Sequence, residues 1–115
     1  MNSALLILIL LVLVAIALAV YASSKSTGQR TAASLADAKA DARRIIERLG
    51  GQVLNLTGTD DASKQAMADA SERYTAASAQ IDQATTAKQA LLAKESALEG
   101  LYYVRAARTA MGMDP

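Results

Sequence analysis

The chain has 115 residues, and its 12 basic and 11 acidic side chains leave a net charge of +1. It contains no His, Cys, Phe or Trp. That composition excludes His-based general-base catalysis, Ser–His triads, thiol nucleophiles, thiolate metal sites and disulfides, and the balanced charge supplies no basic patch for nucleic acid.

Nineteen residues, Ala4 to Ala22, form one unbroken apolar run, and no charged side chain occurs before Lys25. As a helix this run is about 28 Å long, close to the hydrocarbon thickness of a bilayer. A secretory signal has a basic n-region and a shorter apolar core. Met1-Asn2-Ser3 carries no Lys or Arg, so residues 1–24 are expected to be a retained transmembrane span. Lys25 and Arg30 follow the run and no basic residue precedes it. The positive-inside rule therefore predicts a single-pass protein of the plasma membrane, N-terminus outside and C-terminal part in the cytoplasm.

Residues 25–30 read as a polar juxtamembrane linker. From Thr31 to Leu49 the apolar positions Leu35, Ala38, Ala42, Ile45 and Leu49 alternate steps of three and four, and Ile46 widens the stripe. Ser34 with Asp37 has capping-box-like spacing, and Gly50-Gly51 reads as a helix stop. Gln52 to Thr59 is expected to be a hairpin connection whose Val53, Leu54 and Leu56 cap the helix pair.

From Asp60 to Leu98 the chain reads as one long helix. Thr59, Asp60 and Asp61 supply its cap. Asp60 with Lys64 and Asp69 with Arg73 are favourable pairs four apart. The predicted seam runs through Met67, Ala70, Tyr74, Ala77, Ile81, Ala84, Lys88, Leu91, Glu95, Leu98 and Tyr102. The expected fold is all-α: one N-terminal transmembrane helix, then an unequal antiparallel, coiled-coil-like helical hairpin over residues 31–99. The short arm covers at most half of the long one, which leaves the seam from Leu91 onward without a partner. Residues 31–115 hold 21 Ala and only 19 larger apolar residues, enough for a thin seam rather than a bulky core.

Residues 100–115 form a helical tail with Gly112 as its C-cap. Leu91, Leu98, Leu101, Tyr102, Val104, Arg105 and Arg108 are the candidate partner-binding residues, since exposed apolar clusters mark interaction sites and Tyr and Arg are enriched at binding hot spots. Three readings of the Tyr102/Tyr103 and Arg105/Arg108 cluster are open: a docking surface, a contact with the membrane interface, or a plain helix end. No catalytic, cofactor or metal residues are predicted. Glu95 with Glu99, Ser24 beside Lys25 and Asp60-Asp61 are read as solvated helix faces or caps.

The ending ALEGLYYVRAARTAMGMDP, residues 97–115, resembles a segment of small single-span, Ala-rich membrane proteins of mycobacteria and their relatives. The layout of one N-terminal span and a cytoplasmic helical hairpin also resembles an accessory subunit of the cytochrome bcc–aa3 respiratory supercomplex. LemA-like proteins share the span and long helices, but the bulky aromatic pattern expected of them is missing. The resemblance implies a non-catalytic accessory subunit of a larger membrane complex, with that oxidase as partner and no haem or copper of its own. The alternative from the residues alone is a homo-oligomeric, membrane-anchored coiled-coil scaffold. Neither reading involves a small-molecule substrate.

Overall fold

A computed structural model describes residues 3–21 and 31–115. The linker expected at residues 25–30 lies outside them. Every regular element among the described residues is helical: α1 is Ser3–Asn55, α2 is Asp61–Gln83 and α3 is Ala87–Ala110. The chain divides into two compact units, residues 1–33 and 34–115.

In the first unit, Ser3–Tyr21 is long and apolar enough to cross a membrane, with a mean hydropathy of 3.3 over 19 residues. All of its side chains from Ser3 to Tyr21 are exposed within the chain. A helix apolar on every side, with its backbone polar groups satisfied internally, is suited to lipid.

The second unit is a three-helix bundle built from residues 34–55 of α1 together with α2 and α3. Its core contains Ala42, Ile45, Ile46 and Leu49 of α1, Met67, Ala70, Ala77 and Ile81 of α2, and Ala90, Ala93, Ala97, Val104 and Ala107 of α3. The seam predicted in the first helix is the one observed. Ser34 lies inside α1, so its spacing with Asp37 caps nothing.

Two helix boundaries differ from the sequence expectation. Gly50-Gly51 does not stop α1, which continues to Asn55. Gly50 instead allows a close approach: a Cβ there would lie 2.8 Å from Cε2 of Tyr74. The connection is correspondingly shorter, residues 56–60. Val53 and Leu56 pack on the core as expected, whereas Leu54 is 86% exposed. Gly58 is buried where its backbone passes the start of α2; a Cβ would sit 2.6 Å from the Lys64 nitrogen.

The expected long helix is broken. Ala84 is extended (φ −69°, ψ 124°) and ends α2, and Thr86 starts α3. The break is held from both sides. The Thr86 hydroxyl accepts from the Gln89 N–H, and the Gln89 side-chain oxygen accepts from the Thr85 N–H and hydroxyl. This satisfies donors that a helix start otherwise leaves open. Lys39 of α1 donates to the Ala84 carbonyl at 3.2 Å, which sets a cation at the negative end of α2. The unequal hairpin is thus a bundle in which α3 folds back along α2, and residues 100–110 belong to α3 rather than to a separate tail.

Candidate docking face

The end of the bundle where α2 starts and α3 finishes is closed by local chemistry. Asp60 caps α2 by accepting from the Ser63 N–H at 2.7 Å, while the Ser63 hydroxyl oxygen accepts from the Thr59 and Asp60 N–H groups. Ser63 is the buried polar side chain of the unit. Its hydrogen bonds hold the Asp60 carboxyl below the usual carboxylate range. At the same end, where α3 finishes near the start of α2, Gly112 takes φ 74°. The Met113 N–H bonds the Arg108 carbonyl and the Gly112 N–H the Thr109 carbonyl, a Schellman closure. The C-cap predicted at Gly112 is therefore observed.

Polar ties between helices fix the bundle's register. Lys94 of α3 donates to Asp41 of α1 at 2.5 Å, and Arg44 donates to the same carboxylate at 2.8 Å. The Lys94 hydrogen bond, then that of Arg44, holds the Asp41 carboxyl below its usual range. Arg73 pairs with Glu99 across α2 and α3 at 3.4 Å, rather than with Asp69, which accepts from Gln65. Arg108 donates to Gln52 of α1 at 2.8 Å, and Ser96 donates to Gln80 of α2 at 2.7 Å.

The phase of α3 follows from the break. Its buried positions are Ala90, Ala93, Ala97, Gly100, Val104 and Ala107, a three-four spacing like the predicted seam but two residues out of step with it, which puts it on the opposite face. Lys88, Leu91, Glu95, Leu98 and Tyr102, expected to be the seam, lie on the outward face and are exposed. Gly100 explains the choice of inward face. Leu49, which is fully buried, sits so close that a Cβ on Gly100 would overlap its Cδ2.

The candidate partner-binding residues therefore separate into two groups. Leu91, Leu98 and Tyr102 are 50%, 45% and 67% exposed and share the outward stripe with Arg105. Val104 is 4% exposed and belongs to the core, so it is corrected from a docking residue to a packing residue. Leu101 is half-buried against the core, and Arg108 is committed to Gln52. Tyr103 packs against the core and meets Tyr102 edge-on, with ring centroids 6.0 Å apart. Sequence reasoning passed over three outward residues, Ala106, Thr109 and Ala110, which line a shallow groove with Tyr102 and Arg105. The spacing of Ala106 and Thr109 from Tyr102, four and seven residues, is the signal that places them there.

The chain matches no family model, no curated protein and no solved structure.

Proposed function

We propose that this protein is a non-catalytic structural subunit of a membrane protein assembly, anchored by its N-terminal helix and docked to protein through the outward face of α3. The observation that carries the reading is the distribution of apolar bulk in α3. Its inward face is mostly Ala and Gly, while Leu91, Leu98 and Tyr102 stand in water on the opposite side. Exposed apolar side chains aligned along one helix are the ordinary material of helix-docking sites.

The anchor supports the same reading. Ser3–Tyr21 carries no ionisable side chain except the Tyr21 phenol, so it offers nothing to relay protons or ions. Its contribution is attachment, with the C-terminal bundle in the cytoplasm by the charge asymmetry around the span. The sequence resemblance makes a respiratory supercomplex the first assembly to test.

The test is purification of the tagged full chain in mild detergent, comparing the natural sequence with Leu98→Asp/Tyr102→Asp. The expected result is loss of the co-purifying assembly with the helical circular dichroism unchanged. Full-stoichiometry recovery with the double variant overturns the docking face. Turnover of a substrate by the purified, partner-free chain overturns the non-catalytic assignment.

A further inference from the structure

We infer that the outward face of α3 is occupied by the α3 of a second copy of this chain, antiparallel, with the two-fold axis beside Gly100. The inference rests on the reading of that face as a docking site and names its partner. The outward stripe runs Leu91, Glu95, Leu98, Tyr102, Arg105 and Thr109, alternating steps of four and three, the spacing at which two helices can pair along a continuous seam. Glu95 and Arg105 lie on this stripe without an ion pair among the described residues. They are about 15 Å apart along the helix and cannot reach each other within one copy.

The two-fold axis beside Gly100 solves that. Residues equally far before and after Gly100 face each other across the pair. Leu98 then meets the second copy's Tyr102, Glu95 meets its Arg105, and Leu91 meets its Thr109. Each contact occurs twice, as an isologous interface requires. Two opposite charges are neutralised and the two largest apolar contacts lie nearest the axis, where burial is most complete.

Charge also rejects the competing registers. A parallel, in-register pair sets Glu95 on Glu95 and Arg105 on Arg105. An antiparallel pair slipped by one heptad toward the N-terminus sets Lys88 against Arg105 and Glu95 against Leu98. Slipped the other way, it faces Glu95 with Gly112 and leaves the carboxylate unpaired. Like charges or an unpaired carboxylate in the seam disfavour each alternative. The flanking charges do not oppose the favoured register, because Lys94 is already neutralised by Asp41 and Glu99 by Arg73 within each copy.

The absence of Cys from the chain makes the register directly readable. Full-length Leu91→Cys and Thr109→Cys chains, each with a different tag, are co-expressed, extracted in mild detergent and oxidised. The expected product is a disulfide between position 91 of one copy and position 109 of the other. Neither chain alone cross-links, because two copies of position 91 lie about 27 Å apart along an antiparallel pair centred on Gly100. Self-cross-linking of the Leu91→Cys chain, or no heterodisulfide, overturns the proposal.

Charge reversal gives the second arm. Glu95→Arg and Arg105→Glu each weaken self-association about tenfold in sedimentation of the detergent-solubilised chain, and mixing the two single variants restores it. Equal association by all three samples also overturns the proposal. Failure here is distinguishable from failure of the docking face itself. If no cross-link forms but Leu98→Asp/Tyr102→Asp still strips a different membrane protein from the chain, the face stands and the second copy is rejected. If the double substitution strips nothing either, both fall.

Discussion

Replacing Gly100 by Ala puts two opposite effects in competition. In an exposed helix interior the change stabilises by about 1 kcal/mol, because Ala orders at a lower entropic cost than Gly. At Gly100 the new Cβ would lie 3.0 Å from Cδ1 of Leu49, closer still to its Cδ2, and 3.1 Å from Cβ of Arg73. Leu49 is the end of a side chain that could in principle turn away, but it is fully buried among the core residues of all three helices. It has nowhere to go without displacing them. Overpacking of this kind costs about 1–3 kcal/mol, so the steric cost outweighs the propensity gain. We expect Gly100→Ala to lower stability by about 1–2 kcal/mol, or several degrees in melting temperature for a unit of this size. Gly51→Ala is the internal control. It lies in the same bundle with nothing within 4 Å of its Cβ position, and it should gain about 0.5–1 kcal/mol. The assay is urea unfolding of the full chain in detergent, with amide hydrogen exchange assigning the change to residues 34–115. Gly100→Ala as stable as the natural chain or more stable, like Gly51→Ala, would refute the packing argument.

The caps and the ion-pair cluster give further tests. Ser63→Ala removes an oxygen that accepts from two backbone N–H groups and should cost about 1–2 kcal/mol in the same unfolding assay; a cost near zero means solvent reaches those donors. Thr86→Ala removes the α3 cap and should cost about 1 kcal/mol, with early hydrogen exchange confined to residues 84–90. Asp41 has its carboxyl held low by Lys94 and Arg44, so its stabilising effect is present above its unfolded pKa and is lost as pH falls through the lower folded value. The urea midpoint should therefore decline below about pH 4, and Lys94→Met should flatten that decline; an unchanged acid profile in the variant would remove the pair from the account.

The long apolar N-terminal helix, the α1 seam and the Gly112 cap were legible because each is a local pattern. A run of 19 uncharged, almost wholly apolar residues from Ser3 to Tyr21 forms a helix long and apolar enough to cross a membrane. Ile45, Ile46 and Leu49 set large side chains on one stripe, with polar ones elsewhere. The break at Ala84 was hidden because the three-four spacing of Ala77, Ile81 and Ala84 continues without interruption into Lys88 and Leu91. The signal against it was the capping-box spacing of Thr86-Ala87-Lys88-Gln89, strengthened by the adjacent β-branched Thr85 and Thr86. Gly50-Gly51 misled for the opposite reason: Gly serves a helix stop and a close helix crossing equally well, and only the position of Tyr74 decides between them.

The inverted bulk of α3 is the most informative of these differences. Hydrophobic patterning selects Leu91, Leu98 and Tyr102 as the inward face, yet α3 turns Ala90, Ala93, Ala97 and Gly100 inward instead. The reason is distance. Leu49 fills the space between the helices, and only a helix lined with small residues can close around it. A bundle that answered to its own stability alone would lose little by exchanging Leu91, Leu98 and Tyr102 for polar residues, since none of the three belongs to its buried core. Leu91 and Leu98, about half exposed, each leave unused about half of the roughly 1.5–3 kcal/mol that full burial of such a side chain supplies. The same three side chains, with Glu95 and Arg105 between and beyond them, gain that energy only when a second surface covers them. The face that looks misplaced when α3 is read as a core helix is therefore the one we propose for association.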